Sequence, residues 1–407
     1  MRGLWIGLAG LMLSASVNAK TITVEITEDG AFDAIQEALI LAEPGDVVEL
    51  PAGTFALQDG LSLDVENITV RGQGRDVTVL NFKGQAAGAE GLLITADDAV
   101  IEALAVEDTS GDAIKAKGVD GITFRSVRVE WTNGPDENNG AYGLYPVESK
   151  NVLVEDCVAI AASDAGIYVG QSQDIIVRNN RAEFNVAGIE IENSFRADVY
   201  NNVSTNNTGG LLVFDLPNLP QQGGHQVRLF DNKVYGNNTD NFAPEGNIVG
   251  KVPRGTGVMI IANRDVEIFN NEIGDHDTVN VLIAHYPDDY DDEEYQPRPA
   301  RVHVHHNSFG DAGTKPDGDF GMMLSKALGT PIPDIVWDGR TTFLERIFGI
   351  DESTRMSVHD NGDATFANAD ALLSLTVGIT AGVDRDKAAY AEPLESLPEV
   401  TIKQEAK

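Results

Sequence analysis

An internal repeat of 22 residues is the feature that most constrains the fold of this chain. The segment AGIYVGQSQDIIVRNNRAEFN at 165–185 is followed by AGIEIENSFRADVYNNVSTNN at 187–207, and Gly166, Gly188 and Gly210 hold the same place in successive units. Each unit has three short β-branched runs separated by Asn, Gly or Ser, which is typical of strands and not of helices. One such unit cannot bury its apolar face alone, so the units are expected to stack.

A second column of the repeat, apolar-x-x-Asn, extends the register. Its members are Asn180, Asn202, Asn232, Asn271, Asn307 and Asn361, with Ser126 and Cys157 in the equivalent places upstream. The spacing of this column varies, so insertions lie elsewhere in the coils. Asn side chains that hydrogen-bond along a stack suit a repeated tight turn with left-handed backbone. The sequence therefore predicts an all-β fold, a single-domain right-handed parallel β-helix of about ten coils.

The two ends of this domain differ from the repeats. Residues 32–42 have the apolar spacing of an amphipathic helix, and such a helix can cap the open end of the first coil. The β-helix is predicted over residues 20–383. Residues 384–407 form a polar, proline-containing C-terminal tail that is expected to fray.

The first residues predict the compartment. Arg2, the apolar run 4–13 and the small residues near Ala19 describe a cleavable secretory signal over 1–19, which implies a periplasmic or secreted protein. No later stretch has the roughly 20 apolar residues of a membrane helix, so no membrane span is expected. Cys157 is the only cysteine, and the chain therefore has no internal disulfide.

The charge balance restricts the partners. The chain has 29 basic and 64 acidic residues and a net charge of −35, which excludes nucleic acid because phosphate binding needs a basic surface. The same charge opposes long-range capture of an acidic polysaccharide, so such a ligand would need a local cation or Ca²⁺ bridges. No cofactor is certain. The acidic run 288–294 could chelate Ca²⁺, with a solvated acidic loop as the alternative.

Strand alternation allows the faces of the first strand of each coil to be read. The predicted inward column is Ile114, Leu144, Ile167, Ile189, Leu211, Val258, Val281 and Met322. The predicted outward columns are Lys115, Tyr145, Tyr168, Glu190, Leu212, Met259, Leu282 and Met323, and then Lys117, Val147, Gly170, Glu192, Phe214, Ile261, Ala284 and Ser325.

These outward columns change from polar to apolar along the axis. The polar half combines aromatic rings, lysines and carboxylates, and we expect it to stay open as a carbohydrate groove, with a packing ladder of stacked side chains as the alternative. We expect the apolar half to lie beneath the insertions 215–225, 241–255 and 286–299, with a protein partner as the alternative cover.

The run Tyr142-Gly143-Leu144-Tyr145-Pro146-Val147 resembles the Tyr-Gly-x-Asp-Pro-His motif of mannuronan C5-epimerases. More broadly, residues 25–375 resemble secreted β-helix proteins of the pectin-lyase-like superfamily. That superfamily includes alginate lyases, the periplasmic maturation protein of nitrous oxide reductase and a bacterial group to which the resemblance assigns no activity. The resemblance implies a uronate polysaccharide as ligand. Tyr145 and Val147 stand where the motif has Asp and His, so the epimerase mechanism does not carry over.

Removal of the C5 proton of a uronate needs a cation for the carboxylate, a base and an acid. Tyr145 or Tyr168 with Lys115 could supply an elimination, provided that some group depresses the tyrosine pKa. The candidate catalytic residues are Tyr145, Lys115 and Tyr168, and the candidate substrate-binding residues are Lys117, Glu190, Glu192 and Tyr142.

The histidines suggest a different site. His303 and His305 fall on one strand face and His285 is placed one coil earlier, so the three imidazoles are candidate ligands of Zn²⁺ or Cu²⁺. The alternative is exposed strand histidines without a metal.

Two functional hypotheses follow. The first is an extracytoplasmic β-helix protein that binds an acidic, uronate-type polysaccharide through the exposed first-strand face, with cleavage or epimerisation left open. The second is a non-enzymatic assembly or maturation scaffold for a periplasmic protein partner, metal-containing in one version. The residues leave open whether the chain is an enzyme; an enzyme of this kind would be a lyase or epimerase.

Overall fold

The computed structural model describes residues 19–27, 30–340, 352–370 and 382–405. Residues 1–18, which carry nearly all of the predicted signal sequence, lie outside the described residues.

The described chain winds through three sheets of 12, 11 and 10 strands, in which every pair of neighbouring strands is parallel. Each sheet collects one strand from every coil, which is the arrangement of a parallel β-helix. The predicted all-β, right-handed parallel β-helix is confirmed.

The first-strand sheet contains β4 (Leu61–Leu63), β7 (Glu90–Ile94), β10 (Asp112–Lys117), β13 (Tyr142–Val147), β16 (Ala165–Gly170), β19 (Ala187–Glu192), β22 (Gly209–Phe214), β25 (Thr256–Ile261), β28 (Val279–Ala284), β31 (Ile335–Trp337) and β33 (Phe366–Asn368). The second-strand sheet contains β1 (Thr21–Thr23), β2 (Val47–Glu49), β5 (Thr69–Arg71), β8 (Ala99–Glu102), β11 (Asp120–Arg125), β14 (Lys150–Glu155), β17 (Gln173–Arg178), β20 (Phe195–Tyr200), β23 (His225–Phe230), β26 (Arg264–Phe269), β29 (Ala300–His305) and β32 (Ser357–His359). The third-strand sheet contains β3 (Gly53–Ala56), β6 (Thr78–Asn81), β9 (Ala105–Glu107), β12 (Arg128–Glu130), β15 (Val158–Ile160), β18 (Arg181–Glu183), β21 (Val203–Thr205), β24 (Lys233–Tyr235), β27 (Glu272–Gly274) and β30 (Ser308–Phe309).

Four short helical segments accompany these strands in the described residues: the α-helices α1 (Ala31–Leu41) and α2 (Gly318–Leu328), and the 3₁₀ turns Ile248–Lys251 and Lys387–Tyr390. Helix α1 matches the predicted cap within one residue. Its face of Ile35, Ala38 and Leu39 is buried against the core. The Gln36 side chain also exchanges two hydrogen bonds with the backbone of Ser62 in β4, at 2.9 and 3.0 Å.

The predicted inward column of the first-strand sheet is confirmed from Ile114 to Val281. Neighbouring coils pair these residues directly, for example Ile167 with Ile189 and Ile189 with Leu211. The last member is wrong, because Met322 lies in α2 and is exposed, as is Met323, and Ser325 of the same helix is half-buried. Ile335 takes its place opposite Val281. The run from 318 to 328 buries Gly321, Leu324 and Leu328 at helical spacing, which overrides the strand interpretation.

The predicted Asn column is confirmed by hydrogen bonds. From Asn180 to Asn361, each side-chain amide donates to the Oδ1 of the next Asn at 2.9–3.0 Å. Cys157 extends the column because its N–H donates to Asn180 at 2.8 Å. Ser126 does not, since Val127 is the residue whose N–H faces the Cys157 sulfur.

Left-handed backbone occurs one residue before each ladder position, not in the ladder itself. Ser126 has a φ of 52°, and Asn179 and Asn201 have φ values of 58° and 54°. In the apolar-x-x-Asn pattern, the residue before the Asn thus makes the left-handed turn, and the Asn itself makes the ladder hydrogen bonds.

Two further ladders were not predicted. Asn185, Asn207 and Asn237 repeat the amide chain at 2.9 Å per step. The N–H groups of Ser149 and Ser172 each donate to the hydroxyl of the next serine at 3.0 Å. The same 22-residue spacing that revealed the first column would have found the step from Asn185 to Asn207.

The C-terminal segment was expected to fray, and its described part does not. Val400 and Ile402 are buried against Leu153 and Ile176 on the outer face of the second-strand sheet. The Val400 N–H donates to Asp198 at 3.1 Å. Outward apolar side chains and unsatisfied carboxylates on that sheet explain why this polar segment is held there.

Within the described residues, no helix has the length and apolar character needed to cross a bilayer.

Candidate functional site

The candidate site lies on the outer face of the first-strand sheet, from β10 to β19. Its members are Asp112, Lys115, Tyr142, Tyr145, Asp164, Tyr168, Glu190 and Glu192, here called the tyrosine–carboxyl cluster. Strand register brings Lys115 opposite Tyr145, and Tyr168 opposite Glu190. The seven catalytic and binding candidates from the sequence thus lie on four neighbouring strands of this sheet. Lys115 and Lys117 lie on β10, Tyr142 and Tyr145 on β13, Tyr168 on β16, and Glu190 and Glu192 on β19.

Three tyrosine rings pack against one another at the centre of the cluster. The Tyr142 ring centroid lies 4.4 Å from that of Tyr145 and 4.5 Å from that of Tyr168, and the last two meet edge to face at 5.1 Å. Tyr142 and Tyr145 are half-buried, and Tyr168 is only 4% exposed. The half-buried rings are the part of the cluster that a ligand could reach.

Lys115 is the cation of the cluster. Its Nζ lies 3.3 Å from a Glu90 oxygen, 3.5 Å from a Asp112 oxygen and 4.7 Å from the centre of the Tyr145 ring. Lys117 is exposed and lies 3.8 Å from the Glu148 carboxylate at the rim.

Three of the carboxyl groups, those of Asp164, Glu190 and Glu192, are almost completely buried. Glu190 is 1% exposed, and neither of its oxygens has a hydrogen-bond partner among the described residues. Burial, reinforced by the neighbouring Glu192 and Asp164, raises the Glu190 pKa well above its usual value. Burial also raises the pKa of Glu192 to about 7, although the Tyr168 hydroxyl donates to this carboxylate at 2.6 Å.

Asp164 and Asp112 complete the acidic part of the cluster. Burial and the charges of Glu192 and Asp112 raise the pKa of Asp164 to about 8. Burial raises the Asp112 pKa to about 6, against the opposing effect of Lys115. At neutral pH the cluster therefore holds protons, so its local charge is less negative than its composition suggests.

The polar half of the face was expected to stay open, and this is wrong for its later coils. Tyr168, Glu190 and Glu192 are 4%, 1% and 6% exposed. The insertion 241–255 reaches this far, since Asn247 donates to the Asp164 carboxylate at 3.2 Å. Packing of Tyr168 with the apolar side chains of the next coils makes the cover continuous.

The apolar half lies beneath the insertions, as predicted. Leu212, Phe214, Met259, Ile261 and Leu282 form a buried cluster with Leu216, Ile248, Val249, Val252, Tyr286, Tyr295, Leu324 and Leu328. Helix α2 contributes to this cover and was not foreseen. A cavity of about 550 Å³ remains between the sheet, the insertion 241–255 and α2.

The acidic run 288–294 makes contacts with the other insertions. Asp288 pairs with Lys251, and Asp292 accepts hydrogen bonds from the Gln222 side chain and, at 3.3 Å, from the Asn218 N–H. These contacts join the three insertions over the apolar half.

The condition for a tyrosine base is not met. Burial raises the pKa of Tyr145, and the neighbouring Asp112 and Glu192 raise it further. Burial raises the pKa values of Tyr142 and Tyr168 as well, and the neighbouring acidic groups raise them further. The geometry thus favours these hydroxyls as hydrogen-bond donors and the rings as contact surfaces.

The histidine candidates divide between two places. His303 and His305 lie together on β29, with Glu267 of β26 and His359 of β32 beside them. His285 follows β28 in the first-strand sheet and pairs with Asp338, so the predicted grouping of His285 with the other two is wrong. The error arose because His285 follows a strand of the first-strand sheet, whereas His303 and His305 lie on a strand of the second-strand sheet.

His359 and Glu267 were missed. His359 stands two residues before Asn361, as His305 stands two residues before Asn307, so the Asn column carries the signal for it. Glu267 has no such marker, because its position opposite His303 follows from the strand pairing.

Comparisons with known proteins agree with this architecture. Residues 66–219 match the family described as "Right handed beta helix region", and residues 263–342 match the family described as "Disaggregatase related". No curated protein matches the sequence.

Solved structures similar to this chain include the A-module of a mannuronan C-5 epimerase from Azotobacter vinelandii, at 18% identity, with 70% of this chain and 85% of that chain covered and a TM-score of 0.48. An alginate lyase from Paenibacillus is 14% identical over 73% of this chain and 96% of that chain, with a TM-score of 0.36. The family 28 exopolygalacturonase of Yersinia enterocolitica is 14% identical over 72% of this chain and 66% of that chain, with a TM-score of 0.43. Sheet topology and the match over 66–219 identify the chain as a right-handed parallel β-helix protein.

Proposed function

We propose that this protein binds a carbohydrate chain at the tyrosine–carboxyl cluster, and that the ligand is an acidic, uronate-type polysaccharide. One observation carries the proposal: half-buried tyrosine rings, a lysine and carboxyl groups whose pKa values are raised by burial share one stretch of the first-strand face. The predicted signal sequence is consistent with such a ligand, because it would direct the chain out of the cytoplasm.

The rings supply the contact area. Sugar rings have apolar faces, and the accessible parts of Tyr142 and Tyr145 offer flat surfaces with a hydroxyl at the edge. Parallel coils rise by about 4.8 Å each, so the accessible side chains on β10 and β13 extend over the length of about one or two sugar units. The motif resemblance over Tyr142, Gly143 and Pro146 falls within this stretch, whereas the outward side chains Tyr168, Glu190 and Glu192 of β16 and β19 are buried.

Lys115 and the protonated acids address the charge of the ligand. A uronate carboxylate placed near the Lys115 Nζ would compete with Glu90 and Asp112 for that cation. Burial raises the pKa of Asp164 to about 8 and that of Glu190 well above its usual value, so the site opposes an anionic chain less than the net charge of −35 implies.

A second candidate is hydrolysis of the bound chain. The carboxyl groups of Asp112, Glu192 and Asp164 have pKa values raised to about 6, 7 and 8, so acid and base forms coexist near neutral pH. A glycosidase uses such a pair, with one group as the proton donor and another as the base or nucleophile. The raised tyrosine pKa values oppose a tyrosine-based elimination, so hydrolysis is the enzymatic alternative.

The scaffold alternative gains no support from the apolar half. A protein partner was the alternative cover for that face, and the insertions of the chain itself pack over it.

Glycan retention tests the proposal. Affinity electrophoresis in gels with alginate, polygalacturonate or neutral dextran should show retardation of the wild type by a polyuronate. Tyr145→Ala should weaken retardation at least about tenfold because it removes a contact face worth about 1–3 kcal/mol. Lys115→Gln should remove the preference for acidic over neutral chains.

Tyr235→Ala is the matched control, since Tyr235 is 41% exposed on the third-strand sheet, away from the cluster. Equal retardation of the wild type and the Tyr145→Ala variant would contradict the proposal. Reducing ends released from the polymer would indicate hydrolysis, and an unsaturated product would indicate elimination.

A further inference from the structure

We infer that Glu267, His303 and His305 form a binding site for one divalent transition-metal ion, with Zn²⁺ as the reference ion. The site lies on the outer face of the second-strand sheet, beneath the C-terminal segment, and is independent of the carbohydrate proposal.

The donor atoms are close enough for one ion. A donor atom from each of the three residues lies within 4.8 Å of the other two. The nearer Glu267 oxygen, Oε1, is 3.1 Å from His305 Nε2 and 3.9 Å from His303 Nδ1. Zinc–ligand bonds of about 2.0–2.1 Å in a tetrahedron separate the donors by roughly 3.3 Å, so small side-chain rotations suffice.

His303 supplies a second, independent observation in favour of a cation site. Its side chain is 5% exposed, and its Nδ1 has no hydrogen-bond partner among the described residues. Nδ1 faces a carboxylate oxygen at 3.9 Å, beyond hydrogen-bond reach. A buried imidazole nitrogen in this position is satisfied when a metal ion lies between it and the carboxylate.

The surrounding hydrogen bonds leave this nitrogen unprotonated. His359 Nδ1 lies 2.8 Å from the Asp360 carboxylate and donates to it, so in the neutral form of that ring His359 Nε2 is an acceptor. His303 Nε2 lies 2.8 Å from that acceptor and must therefore carry its own proton. The neutral imidazole of His303 then has its lone pair on Nδ1, pointing towards Glu267.

This chain of contacts extends the carboxylate–histidine–metal arrangement by one ring. The Asp360 carboxylate sets the tautomer of His359, and His359 sets the tautomer of the ligand His303. His305 has an equivalent support, because its Nδ1 lies 2.8 Å from His306 Nδ1. The other Glu267 oxygen accepts the Leu397 N–H at 2.9 Å, which leaves Oε1 for the ion.

Ring stacking holds the ligands in place. The His305 ring lies parallel to Phe269 at 5.3 Å on one side and to His359 at 5.3 Å on the other. Three protein ligands leave one position of a tetrahedral ion for water or another ligand. The Leu397 contact also links the site to the C-terminal segment, so the ion should stabilise the docking of that segment.

The test uses the full chain, freed of metal with a chelator and then given Zn²⁺ alone. Elemental analysis after gel filtration should find one zinc per chain, and Co²⁺ in its place should give the visible absorption bands of nitrogen coordination. Glu267→Gln and His303→Gln should each weaken Zn²⁺ binding at least about 100-fold. His359→Phe keeps the ring but removes the supporting hydrogen bond, and should weaken binding about 10- to 100-fold.

His225→Gln is the matched control, because His225 lies on the same sheet in β23, outside the cluster. Zn²⁺ retention that is equal in Glu267→Gln, His303→Gln and the wild type would assign the metal to surface carboxylates and overturn the inference. If these variants do not fold, the wild-type Co²⁺ spectrum decides: bands of oxygen-only coordination reject the site.

Discussion

Insertions cover the apolar half of the first-strand face and the later coils of its polar half, yet burial has opposite effects in the two halves. In the apolar half, covering Leu212, Phe214 and Ile261 removes hydrocarbon from water and stabilises the fold. In the tyrosine–carboxyl cluster, the same cover desolvates Glu190 and Asp164 and raises their pKa values, which costs stability. The comparison teaches that burial alone does not decide stability: Glu190 is buried without a hydrogen-bond partner among the described residues, so no polar contact offsets its desolvation.

The largest expected effect lies in the apolar half. Phe214 is fully buried, so Phe214→Ala should lower the free energy of unfolding by about 3–5 kcal/mol through lost burial and a new cavity. Urea denaturation measures this loss. The control Phe184→Ala, at a residue that is 40% exposed, should lower the free energy of unfolding much less. Equal losses in the two variants would mean that burial beneath the insertions does not stabilise the apolar half.

Deletion of residues 216–223 should have the next largest effect. This loop supplies Leu216 to the apolar cover, and the Asn193 side chain donates to the backbone oxygens of Leu216 and Gln221 at 2.8 and 2.9 Å. Exposing one or two large apolar side chains should cost about 1.5–3 kcal/mol for each and increase binding of a hydrophobic dye. Polyuronate retention should stay unchanged; loss of retention at an unchanged melting temperature would place the ligand beneath the loops.

The pH dependence distinguishes the cluster from the apolar half. Asp112, Glu192 and Asp164 have native pKa values raised above their unfolded values, to about 6, 7 and 8. The native state therefore holds protons that the unfolded state releases, and their contribution to stability falls as pH rises from about 4 to about 8.

Asp164→Asn should flatten this decline when the free energy of unfolding is measured at several pH values. Asp136→Asn is the control, because Asn138 lowers the Asp136 pKa and removes its titration from that range. An identical pH profile in the wild type and Asp164→Asn would mean that the raised pKa of Asp164 is absent in solution.

The smallest effect is expected for Tyr145→Phe. The ring and its packing with Tyr142 and Tyr168 remain, so stability should change by less than about 0.5 kcal/mol and polyuronate retention by less than about twofold. The pair Tyr145→Phe and Tyr145→Ala thus separates the ring from the hydroxyl. Loss of turnover in Tyr145→Phe with retention intact would instead assign the hydroxyl a catalytic role.

Much of the fold could be predicted because its determinants are local and periodic. The 22-residue repeat, the inward column from Ile114 to Val281 and the Asn ladder each follow from residue type at a fixed interval. The cap α1 was predictable for the same reason. The prediction failed at Ser126 because the next residue, Val127, takes the ladder position. It failed at Met322 because the apolar residues of that segment have helical spacing.

The candidate site was predictable only in part. Strand register alone brought Lys115, Tyr145, Tyr168, Glu190 and Glu192 to one face. Their burial was not predictable, because it depends on where an insertion more than 50 residues away in sequence lies, as the contact of Asn247 with Asp164 shows.

The sequence by itself determined the coil, its register and which side chains face outward, since strand alternation and the repeat act within one or two coils. Only the tertiary structure decided which outward side chains are covered, that His359 and Glu267 join His303, and that the C-terminal segment packs along the second-strand sheet. The physical reason is the separation along the sequence over which each kind of interaction acts. Backbone pairing propagates from neighbour to neighbour, whereas desolvation, and with it the pKa values of Glu190 and Asp164, depends on segments that are distant in sequence and close only in the folded chain.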